Sequence, residues 1–235
     1  MSSISIVIPF LSEKKNLKKL SSLIVKNVNF NNYEIIFVDD NSTDGSDKIL
    51  KLLSKKYKKI KHIIRRSKVK DLSKSCIEGF KKSIYKNILV MDGDFQHHPK
   101  YLVNLIKNFN KFSCDIVVGA RDLTSTKKTK LSIFRLGSSL IVTTFLNIAL
   151  GKKTSDPLTG FFLFKKEIYK KNRKKLFANG YKILADLIYS SKEKLNIIDV
   201  GINFGNRAKG ESKMSLKILI ILISFIAQKF KNRIF

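Results

Sequence analysis

The chain has 235 residues, of which 43% are hydrophobic, which is enough to bury the core of one large α/β domain and excludes a disordered chain. Its 47 Lys and Arg against 18 Asp and Glu give a formal charge of +29, which attracts nucleic acid, anionic lipid head groups or phosphorylated substrates. A coding bias toward A and T would also enrich Lys, Ile and Asn, so the charge alone does not identify a nucleic-acid-binding protein.

The first half of the chain alternates strand and helix patterns. Strands are predicted at residues 4–9, 34–38, 61–65, 88–91 and 115–119, and helices at residues 14–25, after a cap at Asp44, at 71–83 and at 99–109. The connections are short and the strands are nearly continuous apolar runs. This pattern is typical of a Rossmann-like, mostly parallel sheet with helices on both faces, which binds ligands at the carboxyl ends of its strands.

The pattern changes from about residue 127. A helix at 131–150, a loop at 154–160, an apolar run at 161–164, a helix at 181–190 and a strand at 197–202 are predicted before a C-terminal helix. Internal repeats and Pro-, Gly- or Ser-rich linkers are missing from the sequence. We therefore expect a single domain over residues 1–214, followed by a separate helix over residues 215–235.

Two apolar runs are candidates for membrane segments. Residues 136–150 and 218–227 both fall short of the ~20 residues that cross a bilayer. The second is followed by Lys229, Lys231 and Arg233, which favours a helix lying on an anionic membrane surface; the alternative is a helix packed on its own domain. The N-terminus lacks the pattern of a signal peptide, and the isolated Cys76 and Cys114 indicate a reducing compartment.

Acidic residues follow two of the predicted strands. Asp39 and Asp40 end one strand, and Asp92 and Asp94 follow another, with Gln96 close behind. Hard divalent cations prefer such oxygen ligands and take further ones from substrate phosphates. A turn or a helix cap is the alternative for Asp92–Asp94 alone, but the second acidic pair at the same edge favours a metal site.

His97 and His98 suggest zinc at first sight. Adjacent side chains point in divergent directions, and neither Cys nor a further His lies at a fitting spacing. We interpret both histidines as loop residues.

Seven segments together resemble one enzyme family. They are VDDNSTDGS (38–46), MDGDFQHHP (91–99), VVGARDL (117–123), SIFRLGSS (132–139), SDPLTGFFLFKKE (155–167), GYKILADL (180–187) and FGNRAKGESKM (204–214). The set resembles family 2 glycosyltransferases and, more narrowly, polyprenol-phosphate (dolichyl-phosphate) mannose synthases. The sequence departs from the family pattern at Ser12, where an Asn usually precedes Glu13, and in having two histidines before Pro99.

The resemblance implies a GT-A fold and an inverting transfer of mannose from GDP-mannose to a polyprenyl monophosphate, assisted by Mg²⁺ or Mn²⁺. UDP-glucose or UDP-GlcNAc is the alternative donor. The chain looks like the short type of the family, cytoplasmic and peripheral on the inner face of the cell membrane. We expect no nucleic-acid partner, because aromatic RNA-binding signatures and zinc fingers are missing and the acidic clusters would repel a phosphate backbone.

The resemblance also implies roles for individual residues. Asp94 and Gln96 would bind the metal, and Asp92 would hold the metal shell or the donor sugar. The sugar nucleotide would lie among Pro9, Glu13, Asp39, Asp40, Asp92, Arg207 and Lys213. The acceptor phosphate would lie against Arg121, Arg135 and Ser139. The residues expected to act in catalysis are Asp92, Asp94, Arg121, Arg135 and Arg207.

Asp186 lies where other family 2 enzymes carry a base. A phosphate monoester is already ionised near neutral pH and is a competent nucleophile without strong help from a base. A structural role for Asp186 is therefore the alternative.

Overall fold

The structure is a computed structural model that describes residues 3–28, 30–121, 144, 146–148, 150–180, 182–204 and 216–234. Most of the helix predicted at 131–150 lies outside these residues. So do four of the predicted site residues: Arg135, Ser139, Arg207 and Lys213.

A mixed sheet forms the centre of the molecule. Its strands in the described residues are β1 Ile4–Phe10, β2 Tyr33–Asp39, β3 Ile60–Ile64, β4 Asn87–Val90, β5 Ile116–Arg121, β6 Phe162–Lys165 and β7 Ile197–Ile202. They lie in the order β3-β2-β1-β4-β6-β5-β7, and β6 runs antiparallel to both of its neighbours. The other pairings are parallel, so the predicted mostly parallel sheet is confirmed.

Helices cover both faces of this sheet. They are α1 Lys14–Asn27, α2 Ser46–Lys56, α3 Leu72–Lys82, α4 Leu102–Phe112, α5 Lys166–Asn172, α6 Ile183–Ser190 and α7 Leu216–Ile234. A 3₁₀ turn at Pro99–Tyr101 leads into α4. Successive strand residues point to opposite faces, so Ile6 and Ile8 pack with α1, α2 and α4, whereas Val7 packs with α3, α5, α6 and α7.

Two carboxylates at helix starts shape the carboxyl edge of the parallel strands. Asp71 caps α3 by accepting a hydrogen bond from the Lys74 N–H at 2.9 Å. Asp44 was predicted to cap α2, but Gly45 occupies the cap position with a positive φ of 81°. Asp44 instead accepts from Ser46 N at 3.1 Å and, through its other oxygen, from Lys14 N at 2.9 Å. It therefore joins the starts of α1 and α2.

The C-terminal helix α7 packs one face on the domain. Phe225 and Lys229 are fully buried, and the Phe225 ring meets Phe177 edge-on at 5.7 Å. Ile223 and Phe230 on another face are 54% and 52% exposed. The helix thus joins the core through one face and also presents apolar side chains to the outside. The first observation agrees with a helix packed on its own domain, and the membrane-surface helix stays a prediction.

Across the described residues, none of the helices has the length and apolar character that crossing a membrane requires.

Candidate active site

The carboxyl ends of β1, β2 and β4 bring the first acidic residues together. Pro9 and Phe10 of β1 pair in register with Val38 and Asp39 of β2, and the Asp40 N–H donates to the Phe10 carbonyl at 2.9 Å. Parallel strands place their ends on one edge of the sheet, so these residues and the loop after β4 share that edge.

Asp39 is buried and held by the turn that follows it. Its Oδ1 accepts from the Ser42 backbone N at 2.8 Å and from the Ser42 hydroxyl at 2.5 Å. Asn41, between them, adopts a positive φ of 63°, a conformation that Asn tolerates better than most residues. The turn at residues 39–42 thus holds the Asp39 carboxylate in place without a ligand.

Asp40 has a supporting role in this edge. Its Oδ1 forms an ion pair with the Arg65 guanidinium, with Nε at 2.6 Å, and its Oδ2 accepts from the Asp71 N–H at 2.6 Å. Both oxygens are therefore engaged by protein donors, and the residue ties the end of β2 to the end of β3 and the start of α3. A buried charge with full pairing of this kind is costly to disrupt.

The DGD loop (residues 91–96) follows β4 and packs against the end of β1. A Cβ at Gly93 would lie only 3.0 Å from Phe10 Cβ and 3.8 Å from Glu13 Cγ, so the glycine allows a close approach. Glu13 is therefore a direct neighbour of this loop. Its Oε2 accepts from the Asn16 side chain at 2.5 Å.

Within the DGD loop, Asp94 and Gln96 are held close together. Asp94 is buried, and its Oδ1 accepts from the Gln96 N–H at 3.0 Å. Phe95 lies between them with a positive φ of 65°. The turn supplies one carboxylate and one amide oxygen at the same edge as Asp92.

These oxygen donors suit a hard divalent cation. The described part of the chain contains no group of three or more His, Cys, Asp or Glu side chains arranged to hold a metal. A site with few protein ligands suits Mg²⁺ or Mn²⁺, which are commonly held by one or two carboxylates together with substrate phosphates and water. Asp92, Asp94 and Gln96 fit that kind of site.

His97 is a site residue that the sequence interpretation missed. Its ring is buried, stacked on Phe161 at 5.2 Å and edge-on to Phe204 at 4.7 Å. Nδ1 lies 3.5 Å from Asp92 Oδ2. Burial, and then the nearby Arg121 charge, lower the pKa of His97 to about 3, so the ring is neutral at physiological pH.

Both histidines lie in the loop between β4 and the 3₁₀ turn, as predicted, but the burial of His97 among aromatic rings was not predicted. His98 caps the 3₁₀ turn, because its Nδ1 accepts from the Lys100 N–H at 3.1 Å. The two rings diverge, as adjacent side chains do, and only one of them enters the aromatic cluster. The aromatic residues that cover His97 come from distant segments, so nothing local in the sequence marks it.

Arg121 lies at the end of β5 and faces the DGD loop from the other half of the sheet. Its Nε donates to Asp156 Oδ2 at 3.0 Å, its guanidinium lies 5.1 Å from the centre of the Phe204 ring, and its side chain is 31% exposed. Asp156 and Phe204 are two further residues that the sequence analysis did not single out. The influence of Arg121 on the pKa of His97 places its charge within electrostatic reach of the His97–Asp92 contact.

The segment from Asp156 to Gly160 contacts both Asp92 and Arg121. Gly160 lies so close to Asp92 that a Cβ at position 160 would overlap the Asp92 carboxylate. Four residues earlier, Asp156 holds Arg121. The Thr159 hydroxyl fixes the segment to β5 by donating to the Gly119 carbonyl at 3.1 Å.

Asp186 has a structural role in this structure. It is buried in α6, where its two oxygens accept from the N–H groups of Phe177 at 3.0 Å and Ala178 at 2.8 Å. It also pairs with Lys229 Nζ at 2.5 Å. These contacts occupy the carboxylate in holding a loop and α7, which supports the structural alternative over that of a base.

Comparison with protein families gives a match to the model described as "Glycosyl transferase family 2" over residues 5–173. Two similar relatives are named dolichol-phosphate mannosyltransferase. The protein from Pyrococcus furiosus is 35% identical over 97% of this chain and 64% of its own length, and the protein from Saccharomyces cerevisiae is 30% identical over 92% and 82%. The chain thus spans somewhat less than two thirds of the archaeal relative.

Comparison with solved structures identifies the same architecture. Glucosyl-3-phosphoglycerate synthase from Mycobacterium tuberculosis, in complex with Mn²⁺ and UDP-glucose, has a TM-score of 0.71 at 19% identity over 98% of this chain and 78% of that one. Its complex with Mn²⁺, UDP and glucosyl-3-phosphoglycerate has the same TM-score at 18% identity over 98% and 79%. These likenesses show a shared GT-A fold. The family match and the similar relatives establish that the chain belongs to glycosyl transferase family 2.

Proposed function

We propose that this protein transfers mannose from GDP-mannose to a polyprenyl monophosphate, with inversion at the anomeric carbon. The observation that carries the proposal is that an acidic loop, Asp92–Asp94, and a cation, Arg121, lie at one edge of the sheet, each within contact or electrostatic reach of His97. The names of the curated relatives, dolichol-phosphate mannosyltransferase, supply the donor and acceptor classes.

The donor would lie between the first strand ends and the DGD loop. Asp39, fixed by Ser42, and Glu13, beside Gly93, offer acceptors to the nucleoside next to Pro9. Asp40 would support this pocket through Arg65. Arg207 and Lys213 would meet the diphosphate from the C-terminal segment.

Asp94, Gln96 and Asp92 would hold Mg²⁺ or Mn²⁺ beside the diphosphate. When bound, the ion supplies positive charge that stabilises the leaving nucleoside diphosphate. The Mycobacterium tuberculosis enzyme of the same fold has been solved with Mn²⁺ and sugar nucleotide, which supports the class of ion.

The acceptor needs cations more than it needs a base. Its phosphate is ionised near neutral pH, so the site must offset charge and orient the attacking oxygen. Arg121 can do this with the nitrogens that its contact with Asp156 leaves, because guanidinium groups bind phosphate through parallel hydrogen bonds. Arg135 and Ser139, four residues apart, would complete the acceptor group.

The outer face of α7 (Ile223, Ala227 and Phe230) would contact the membrane that carries the lipid acceptor. These exposed residues recur at helical spacing, and the exposed Lys231 flanks them. An apolar stripe with basic neighbours favours binding at an anionic surface such as the inner face of the cell membrane.

Vesicle binding tests the membrane contact. Deleting residues 215–235 would also remove the buried Phe225 and Lys229, so point variants are cleaner. Ile223→Ser with Phe230→Ser should weaken co-sedimentation with anionic vesicles about tenfold, whereas Leu52→Ser, at a 58% exposed position on α2, should not. Equal binding by all three proteins would remove this role from α7.

The reaction is tested by incubating the purified full chain with Mn²⁺ or Mg²⁺, a polyprenyl phosphate and three donors: GDP-mannose, UDP-glucose and UDP-GlcNAc. We expect GDP release and a lipid-linked mannose from GDP-mannose alone. Turnover with a UDP-sugar alone would correct the donor, and no turnover with any donor would reject the proposal.

A further inference from the structure

A second buried cation lies outside the residues discussed so far. Lys182 is only 6% exposed, and its Nζ has no hydrogen-bond partner among the described residues. The fully buried Lys229 has three partners: Asp186, Ser190 and the Lys175 carbonyl. Within the described part of the chain, Lys182 therefore differs from Lys229 in lacking a counter-charge.

Burying an unpaired ammonium is unfavourable, because the fold must remove it from water without compensation. The burial lowers the pKa of Lys182 to about 8, so the group is still largely charged at neutral pH. The ring of Phe225, 5.8 Å away, is its aromatic neighbour. Such uncompensated groups are enriched at sites where a ligand supplies the missing charge.

The position of Lys182 connects it to the site. It precedes α6, and two residues earlier Gly180 donates its N–H to Asp71 Oδ2 at 2.9 Å, while the Ser73 N–H donates to the Gly180 carbonyl at 2.9 Å. Asp71 begins α3 at the carboxyl edge of the sheet. The segment with Lys182 is therefore fastened to the edge that carries the DGD loop.

The thiol of Cys76 on α3 adds a second link. Burial first, then the charges of Asp92 and Asp71, raise its pKa. The Cys76 thiol is therefore within electrostatic reach of both Asp92 and Asp71, the residue that anchors Gly180.

The faces of the sheet separate Lys182 from the proposed donor pocket. Glu13 immediately precedes α1, which packs on one face, whereas Ile183 and Phe225 belong to the core on the other face. Phe225 also comes from α7, whose outer face is proposed to meet the membrane. Lys182 therefore lies next to α7, on the face of the sheet opposite α1.

We propose that Lys182 binds the phosphate of the lipid acceptor and supplies, with Arg121, the positive charge that holds it for attack. The inference rests on the proposed function for the identity of the acceptor. The group that Lys182 would bind is a phosphate dianion, which both the lipid phosphate and free inorganic phosphate can provide. An ammonium is a compact charge with three donors, and it suits a ligand whose oxygens arrive from one direction.

Kinetics of full-chain variants test the assignment. Lys182→Met should raise the KM for polyprenyl phosphate about tenfold or more and leave the KM for GDP-mannose unchanged, whereas Lys182→Arg should retain most acceptor binding. Lys166→Met is the matched control, because this half-buried lysine donates to the Ser83 carbonyl at the opposite edge of the sheet. An unchanged acceptor KM, or a rise in the donor KM instead, would overturn the proposal.

A binding measurement separates this proposal from the proposed function. Farnesyl phosphate should raise the melting temperature of the wild type but not of Lys182→Met, and inorganic phosphate should do so at higher concentration if the head group alone suffices. Without ligand, Lys182→Met should melt at a higher temperature than the wild type, which a purely structural lysine would not produce. A protein without turnover that still shows the Lys182-dependent shift would reject the reaction and keep the phosphate site. Turnover by the wild type, together with equal melting-temperature shifts in the wild type and Lys182→Met, would keep the reaction and reject the phosphate site at Lys182.

Discussion

The two halves of the site differ in how their charges are satisfied. On the side of β1, β2 and β4, the carboxylates of Asp39, Asp40 and Asp94 each accept hydrogen bonds from backbone N–H groups nearby. At the end of β5, Arg121 is partly exposed and pairs with Asp156, and before α6 the Lys182 ammonium has no hydrogen-bond partner among the described residues. The acidic half is preorganised by the protein, whereas the basic half, in the proposed function, would be completed by an anionic ligand. The proposed function assigns a rigid metal site to the first half and a site that receives a lipid phosphate to the second.

The largest expected effect comes from the acidic half. Asp94→Ala should lower metal-dependent turnover by about 10³-fold or more, because the ion that offsets the leaving diphosphate loses its principal ligand. Asp115→Ala is the control, since that carboxylate pairs with Lys165 at the opposite edge of the sheet. Initial rates against Mn²⁺ concentration measure the effect. If Asp94→Ala retained full activity, the metal assignment and the comparison would both be wrong.

The next effect contrasts the two buried lysines. Lys229→Met should destabilise the protein by about 3 to 5 kcal/mol, because it leaves the buried Asp186 carboxylate without its counter-ion. The double variant with Asp186→Leu should recover part of that loss. Urea denaturation monitored by circular dichroism measures both values. An unchanged free energy of unfolding in Lys229→Met would mean that the pair with Asp186 does not hold α7 on the domain.

Arg121 should give a smaller effect that is confined to the acceptor. Arg121→Met is expected to lower kcat/KM for polyprenyl phosphate by about 10²-fold, and Arg121→Lys should restore only part of it, because the ammonium lacks the planar fork. The control is Lys171→Met, whose lysine pairs with Glu167 and Glu193 on the surface. An equal fall in kcat/KM for GDP-mannose would show that Arg121 does not act on the acceptor alone.

The smallest effect is a pH dependence of stability caused by Lys182. Its pKa of about 8 in the folded protein lies below the ordinary 10.5, so the unfolded chain binds more protons between these values and the unfolding free energy rises with pH. The wild type should be about 1 to 3 kcal/mol less stable than Lys182→Met at pH 7, and the gap should close by about pH 10.5. Denaturation of both proteins from pH 7 to pH 10.5 measures it.

Other ionisable groups near Lys182 are common to both proteins in that comparison. Lys229 faces the same Phe225 ring, and burial also lowers its pKa. Asp186 and Asp71 lie in the neighbouring segments. A gap that stays constant with pH would show that Lys182 does not titrate in this range.

Much of the fold could be predicted because its signals are local. The burial of β1 and β2 follows from continuous apolar runs, the start of α3 from the helix predicted over residues 71–83, and the turn before α4 from Pro99. The antiparallel direction of β6 could not be predicted, because four apolar residues carry no information about strand direction. Its two neighbours in the sheet decide that direction.

The arrangement of the candidate site could be predicted where one segment holds the whole feature, as in the DGD loop, where Asp94 and Gln96 lie close together. His97 was missed because its environment consists of Phe161 and Phe204, which only the folded chain brings to it. Lys182 was missed for a different reason. In a chain with 47 Lys and Arg, composition hides the one lysine that is buried without a partner among the described residues.

The short segment from Asp156 to Gly160 links the two charges on which the proposed reaction depends. Its first residue holds Arg121, which is proposed to bind the nucleophile, and its last packs directly on the Asp92 carboxylate, which is proposed to face the donor sugar. In the proposed reaction, these five residues would set the distance between the attacking oxygen and the anomeric carbon. A side chain at position 160 would push Asp92 away from Arg121 and would be expected to lower turnover.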